Sequence, residues 1–214
     1  MRGLERLPEP QILVDRKGIW LSKFLASGNK RPDSNKYGHP TVLTQLNSMS
    51  FHKCFYCETK LKGAPKEIDH QVEVSVDKNL AYEWTNFFLS CDNCNNKIPH
   101  NIISICDALD PCINTDEFIE EHLTFNKELI VPKNNSGIGL NTIKKYRLDT
   151  ELLDTRRLKQ ISLLQDLLLE IRKNQISENR SNLTSEEIYI INSFKRIDNP
   201  YSLMFKVLIE KYGL

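Results

Sequence analysis

Two cysteine pairs of the form C-x-x-C carry the clearest chemistry in this sequence. Cys54 and Cys57 form the first pair, and Cys91 and Cys94 form the second. Zinc prefers four tetrahedral thiolate ligands, and a C-x-x-C turn can present two sulfur atoms to one ion. A redox-active pair is the alternative, but neither pair lies in a β-α-β pattern. We therefore expect these four cysteines to bind Zn²⁺. A complete thiolate shell leaves no open position, so the ion would be structural.

Polar residues of a second kind lie between and directly after the cysteine pairs. Asp69 and His70 are adjacent, Asn86 follows them, and Asn95 comes directly after Cys94. A histidine has an ordinary pKa of about 6.5, so His70 can be neutral at pH 7 and act as a general base. Each residue alone is a weak signal, because Asn95 could cap a helix and Asn86 could occupy any turn. Taken together, these residues favour hydrolysis of a phosphodiester bond.

The order and spacing of these residues resemble the zinc-bearing branch of the HNH endonucleases, which have the ββα-metal fold. The match covers about residues 51–98, with Asn86 sixteen residues after His70 and Asn95 nine residues further on. The resemblance implies that His70 is the general base and that Asp69 and Asn95 bind catalytic Mg²⁺ or Mn²⁺. It also implies that Asn86 braces the loop that orients His70. Lys97 is expected to be a solvated lysine or a phosphate contact.

Softer patterns, some of them outside that core, resemble the HNH subunits of Septu antiphage defence systems. They lie at residues 6–10 (RLPEP), 82–86 (YEWTN) and 142–148 (TIKKYRL). This resemblance implies a nucleic-acid substrate, either DNA or RNA, and an ABC-type ATPase of the PtuA type as partner. Such subunits also occur in some retron loci, which extends the expected partners to a retron reverse transcriptase with its RNA or DNA product.

A noncatalytic zinc module that binds nucleic acid or protein is the open alternative. In that case the cysteines would be needed, but Asp69, His70 and Asn95 could be replaced without loss of function. A zinc hydrolase that acts on small molecules is disfavoured, because four cysteines already fill the zinc shell. Cys106 and Cys112 are left over and are expected to be small buried residues. His52 and His100 flank the pairs and are weaker alternatives as zinc ligands.

Composition and charge limit the class of protein. The 214 residues are 40% hydrophobic and 27% charged, without an apolar run long enough to span a bilayer and without an apolar signal core. A cytoplasmic location and no membrane partner are expected. The net charge is only +1, but residues 1–66 hold 12 Lys/Arg and 5 Asp/Glu, a balance of +7. This basic part could contact phosphates or an acidic partner, or be a solvated surface.

The coarse pattern predicts an α+β protein with a ββα-metal core and cysteine knuckles. We divide it into an N-terminal arm and short helix (1–50), an HNH core with the zinc site (51–110), and a mixed linker with a C-terminal helical region (111–214). The arm is expected to be extended, with one short helix near residues 19–27 and another at 41–50. Further predicted features are a turn at 62–66, strands at 67–76 and 86–90, helices at 92–97 and 153–176, a capping box at Thr184–Glu187, and a final helix that starts at Asn199-Pro200.

Overall fold

The structure is a computed structural model that describes residues 1–61 and 66–213. The turn predicted at residues 62–66 therefore lies almost entirely outside the described residues. In the described part of the chain, helices dominate and two small antiparallel sheets are present. No helix in these two ranges is both long and apolar enough to cross a membrane.

The N-terminal fifty residues are more helical than predicted. Helix α1 spans Gln11–Ala26, so the helix expected near residues 19–27 begins eight residues earlier. Pro10 precedes the first turn with a φ of −57°, which suits entry into a helix. The short helix α2 (Ser34–Tyr37) follows, and the helix predicted at 41–50 is confirmed as α3 (Pro40–Ser50).

The segment before α1 is fixed to the rest of the protein by hydrogen bonds. The Arg6 guanidinium donates to the carbonyl oxygens of Phe87 (2.8 Å), Thr85 (3.2 Å) and Trp84 (3.3 Å). In return, the Trp84 indole Nε1 donates to the Leu7 carbonyl at 2.8 Å. Residues 6 and 7 thus lie against the segment that enters the second strand.

The predicted β-β-α order is confirmed. Strand β1 (Glu67–His70) pairs antiparallel with β2 (Phe87–Ser90), and helix α4 (Asp92–Asn95) follows directly. Asp69 is opposite Phe88, and His70 is opposite Phe87. The first strand is shorter than the predicted 67–76. Pairing ends after Gln71 because the Asn86 side chain, rather than a strand backbone, binds the backbone of Val72.

The C-terminal half is mainly helical and contains one hairpin. Its elements are α5 (Asp116–His122), β3 (Leu123–Asn126), β4 (Leu129–Pro132), α6 (Gly137–Lys145), α7 (Glu151–Ser177), α8 (Ser185–Ser193) and α9 (Ser202–Lys211). Strands β3 and β4 pair antiparallel. The helix predicted at 153–176 is confirmed within α7, and Thr184 and Glu187 form the predicted capping box of α8.

The predicted start of the last helix is wrong. Helix α9 begins at Ser202, and Tyr201 with a φ of 53° precedes it, so Asn199 is not its cap. The cap comes from a distant residue: the buried Glu58 carboxylate accepts hydrogen bonds from the Ser202 and Leu203 backbone N–H groups. A carboxylate at a helix N-terminus satisfies free N–H groups and is favoured by the helix dipole. Tertiary contact therefore sets this boundary.

One apolar cluster joins the ββα unit to the C-terminal helices. Buried side chains of the two knuckles and β2 pack in the same cluster as buried side chains of α9, among them Phe55, Phe88, Leu89, Leu203 and Phe205. Burial of large apolar side chains is the main stabilising term in folding. The ββα unit therefore shares its core with the surrounding helices.

Candidate metal and catalytic centre

The four predicted cysteine ligands are gathered at one buried point. Their Sγ atoms all lie within 4.8 Å of one another, and none of the four forms a disulfide. The Cys57 and Cys91 sulfur atoms are 3.7 Å apart. Tetrahedral Zn–S bonds of about 2.3 Å place sulfur atoms about 3.8 Å apart, so this cluster fits one tetrahedral ion. These residues can hold a structural metal.

Backbone hydrogen bonds shape the first knuckle. The Cys54 N–H donates to the Thr59 carbonyl at 2.9 Å, and the Glu58 N–H donates to the Cys54 carbonyl at 3.0 Å. The Phe55 N–H donates to the Leu89 carbonyl at 2.9 Å, which ties the knuckle to β2. The turn that presents Cys54 and Cys57 is therefore built onto the sheet.

A hydroxyl pair connects the cysteine cluster to the start of α9. The Thr59 Oγ1 atom lies 3.1 Å from Cys57 Sγ and 2.9 Å from the Tyr201 hydroxyl. Hydroxyl groups near a thiolate ligand stabilise its charge and hold its orientation. Sequence reasoning missed both residues, because Tyr201 is 142 positions from Thr59.

The remaining cysteines and the flanking histidines are outside the metal cluster. Within the described ranges, only Cys54, Cys57, Cys91 and Cys94 form a group of three or more possible ligands. Cys106 is exposed, contrary to the expectation that it is buried. Cys112 is half-buried, and burial raises the pKa of its thiol to about 12. His52 Nδ1 contacts Asn47, and His100 Nδ1 accepts the Ile105 N–H.

His70 ends strand β1 and is held in one tautomer. Its Nε2 lies 3.0 Å from the Ala81 carbonyl oxygen. A carbonyl only accepts, so Nε2 carries the proton and Nδ1 keeps a free lone pair. The ring also contacts the rings of Tyr37 (centroids 4.9 Å apart) and Phe87 (5.2 Å). Burial lowers the pKa of His70, although the Ala81 hydrogen bond acts in the opposite direction. The imidazole is therefore neutral at pH 7 and can accept a proton.

Asn86 holds the loop that leads from His70 to Ala81. Its buried side chain accepts from the Val72 N–H (2.8 Å) and donates to the carbonyl oxygens of Val72 (3.0 Å) and Leu80 (3.2 Å). Leu80 directly precedes Ala81, whose carbonyl holds the histidine ring. The amide of Asn86 thus fixes both ends of residues 72–80.

Asp69 is buried, with 5% of its side chain exposed, and both of its oxygens are engaged. The Tyr56 hydroxyl donates to Oδ2 at 2.6 Å, and the Lys97 ammonium contacts Oδ1. Burial raises the pKa of the Asp69 carboxyl, while the contacts with Lys97 and Tyr56 act against that rise. The expectation that Lys97 is solvated is wrong, because only 4% of its side chain is exposed.

Asp69, His70 and Asn95 line the same cleft, which has a volume of about 500 Å³. Asn95 is exposed at the end of α4. The other wall comes from the N-terminal region and includes Lys30 and Arg31. The structure therefore brings together the predicted base, the predicted Asp69 and Asn95, two further carboxylates (Glu67 and Glu73) and two cations. Asn86 does not line this cleft but lines a separate pocket.

Comparison with known proteins fits this arrangement. The family model described as HNH endonuclease matches residues 54–101. Residues 54–101 form an HNH domain. This HNH domain contains all four cysteines and the four polar residues singled out above. The family resemblance predicted from the sequence is thereby confirmed.

The similarity extends beyond the HNH domain. The chain is 32% identical over 182 residues to the Septu protein PtuB of Bacillus thuringiensis, which covers 81% of this chain and 66% of that relative. The chain thus spans just under two thirds of the relative's length. The predicted resemblance to Septu proteins is confirmed by this match, and the retron partner stays a prediction.

Proposed function

We propose that this protein is a metal-dependent endonuclease that hydrolyses phosphodiester bonds of nucleic acid. The observation that carries the proposal is a neutral His70 with a free Nδ1 in the same cleft as Asp69 and Asn95. The HNH match makes a polynucleotide the substrate class to test first.

His70 takes a proton from the attacking water on Nδ1 in this proposal. The Ala81 carbonyl keeps the ring in the required tautomer, and Asn86 positions that carbonyl through the neighbouring Leu80. A general base of this kind contributes about 10²–10⁴-fold to the rate of hydrolysis. Asn86 is thus a positioning residue in this proposal.

The divalent ion of this proposal is Mg²⁺ or Mn²⁺, held by Asp69 and Asn95. Carboxylate and amide oxygens are the ligands these ions prefer, and the cleft has room for the water molecules that complete their shells. When bound, such an ion neutralises charge on the scissile phosphate and on the leaving oxygen. Zn²⁺ in the four cysteines has a purely structural role in the proposal.

Lys30 and Arg31 support a polyanionic substrate. Both line the cleft together with the carboxylates of Glu67, Asp69 and Glu73, and within the described residues neither cation forms an ion pair. Phosphate contacts by Lys and Arg supply most of the sequence-independent affinity for nucleic acid. DNA and RNA both satisfy this requirement, so each belongs in the test.

The first experiment is a cleavage assay on zinc-loaded His70→Ala beside wild type. Plasmid DNA, single-stranded DNA and total RNA would be incubated with Mg²⁺ or Mn²⁺. We expect cleavage by wild type and a loss of at least about 10²-fold in His70→Ala. His122→Ala is the matched control, because His122 contacts Ser136 in the C-terminal half and not the cleft. Equal cleavage by wild type and His70→Ala would contradict the proposal and favour the noncatalytic zinc module.

We further propose an ABC-type ATPase as partner, on the strength of the Septu resemblance. The long helix α7 offers a surface for it, since Leu163, Leu169 and Ile176 are exposed there. Co-expression with the neighbouring ATPase should yield a complex that Leu163→Asp/Leu169→Asp weakens. The doubly substituted chain must keep its zinc content and melting temperature for this comparison. An unchanged complex would exclude α7 as the docking surface.

A further inference from the structure

Lys97 contacts the carboxylate that the proposed function assigns to the divalent ion. Its ammonium group contacts Asp69 Oδ1 and donates to the His70 carbonyl oxygen at 2.6 Å. The other Asp69 oxygen already accepts the Tyr56 hydroxyl. Each oxygen of the Asp69 carboxylate therefore already has one protein donor.

An ammonium group and a divalent ion on the same buried carboxylate repel each other. Both are cations, and burial of Asp69 and Lys97 removes most of the water that would screen their repulsion. Asn95, in contrast, is exposed in the cleft and is open to a ligand. The obstacle to metal binding is thus one side chain.

Glu73 offers Lys97 a second place to bind. Its Oε1 is buried and lies 3.9 Å from Lys97 Nζ, and within the described residues no donor reaches it at hydrogen-bond distance. Its Oε2 accepts the His100 N–H at 3.1 Å, which fixes the carboxylate beside the cleft. A buried carboxylate oxygen without a donor is costly, so an arriving ammonium group would be stabilised there.

We propose that Lys97 excludes the divalent ion from Asp69 and moves to Glu73 when the ion binds. This proposal rests on the proposed function, because it takes Asp69 as a ligand of the catalytic metal. Metal binding and the Lys97–Asp69 contact are then two states of one equilibrium. The metal-free protein is held inactive by its own lysine.

The test measures metal affinity without nucleic acid and without catalysis. Mn²⁺ binding to the zinc-loaded full chain would be followed by calorimetry and by electron paramagnetic resonance. The Mn²⁺ binding that is present in wild type and absent in Asp69→Asn is assigned to the proposed catalytic site. Coupling energies between two ligands of one protein usually change affinity by about 5–150-fold. We expect Lys97→Met to bind Mn²⁺ tighter by a factor in this range.

Two further variants make the result specific. Lys97→Arg keeps the cation and should retain the weak affinity of wild type. Glu73→Gln removes the alternative position for the ammonium group and should weaken Mn²⁺ binding relative to wild type. Zinc content and melting temperature establish that each variant is folded.

The outcomes separate this proposal from the nuclease proposal. Equal Mn²⁺ affinity in wild type and Lys97→Met would overturn the exclusion and leave the nuclease proposal standing. Weaker binding in Lys97→Met would also overturn it, because Lys97 would then support the ion. If Asp69→Asn abolishes no Mn²⁺ binding in wild type or in any Lys97 or Glu73 variant, Asp69 is not a metal ligand. That result would overturn both the metal role of Asp69 and the exclusion by Lys97.

Discussion

The Tyr56 hydroxyl donates a hydrogen bond of 2.6 Å to Asp69, so a residue inside the first C-x-x-C turn contacts the predicted catalytic strand. Tyr56 is fully buried between the rings of Tyr146 (centroids 4.0 Å apart) and Phe88 (5.8 Å). The cysteine cluster and the cleft are thus joined by one rigid side chain. We therefore expect that removal of a metal from the four cysteines would disturb Asp69.

Removal of that hydroxyl should destabilise the protein. Tyr56→Phe leaves a buried carboxylate oxygen without its donor, which costs about 1–3 kcal/mol. Urea unfolding of the zinc-loaded protein measures the change. Tyr146→Phe is the matched control, because within the described residues the buried Tyr146 hydroxyl donates to no carboxylate. We expect that control to be neutral or stabilising, and an equal loss in both variants would refute the argument.

Asn86→Ala should reduce both stability and activity. The variant removes three hydrogen bonds and leaves the Val72 N–H and the Val72 carbonyl unpaired, which should cost about 2–4 kcal/mol; the Leu80 carbonyl keeps the Glu83 N–H as a donor. Unfolding free energy and cleavage rate are the measurements. Asn96→Ala serves as control, since Asn96 is exposed and its side chain donates to the Asp92 carbonyl, with no other side-chain hydrogen bond among the described residues. If a folded Asn86→Ala protein cleaves at the wild-type rate, Asn86 does not position His70.

The Tyr201–Thr59 pair should affect retention of the metal. Thr59→Val removes the hydroxyl 3.1 Å from Cys57 Sγ, and loss of such an outer contact typically lowers metal affinity about 10–100-fold. Competition with a chromophoric zinc chelator measures this change. Tyr201→Phe should have a smaller effect of the same sign. Thr124→Val on β3 is an isosteric control with no expected change.

Lys30 and Arg31 should set the salt dependence of nucleic-acid binding. Each phosphate contact contributes about 0.7–0.9 to the slope of log affinity against log salt concentration. Lys30→Ala/Arg31→Ala should lower that slope by about 1–2 and weaken binding to every sequence alike. Gel-shift titrations at several salt concentrations test it. The charge-matched variant Lys159→Ala/Lys173→Ala on α7 should bind nucleic acid like wild type. An equal loss of affinity in the two double variants would show that the cleft is not the binding site.

The cysteines should react with iodoacetamide in a fixed order. Exposed Cys106 should be modified first at pH 8, while Cys112, whose pKa is raised to about 12 by burial, has about 10⁻⁴ of its thiol as thiolate. The four clustered cysteines should react only after a chelator removes the metal. Mass spectrometry of digested protein resolves the sites. Early modification of Cys57 or Cys91 in untreated protein would contradict metal binding.

Local patterns in the sequence predicted the ββα order, the cysteine cluster and the place of His70 beside Asp69. They succeeded because the ligands of each knuckle are three residues apart and the two strands are short. The same patterns failed for β1 beyond His70 and for the start of α9. In both cases a distant side chain, Asn86 or Glu58, supplies the hydrogen bonds that a local pattern would have assigned to the backbone.

The burial of Lys97 was also beyond sequence reasoning. A lysine two residues after a helix end is usually solvated, and nothing local indicates a carboxylate 28 positions earlier in the chain. Tyr37, Lys30 and Arg31 reach the cleft from a region that local analysis assigned to an arm. Long-range packing decides such contacts, and the spacing of residue types contains little information about it.

The contacts of Arg6 have a consequence for the order of folding. Its carbonyl acceptors come 78–81 residues later, and the contact between Glu58 and Ser202 closes a separation of 144 residues. Contacts between residues so far apart in the chain slow folding, because loop-closure entropy is lost before they stabilise anything. During synthesis, Glu58 can contact α9 only after Ser202 and Leu203 have been translated. Any folding step that needs the contact between Glu58 and α9 therefore follows the synthesis of α9.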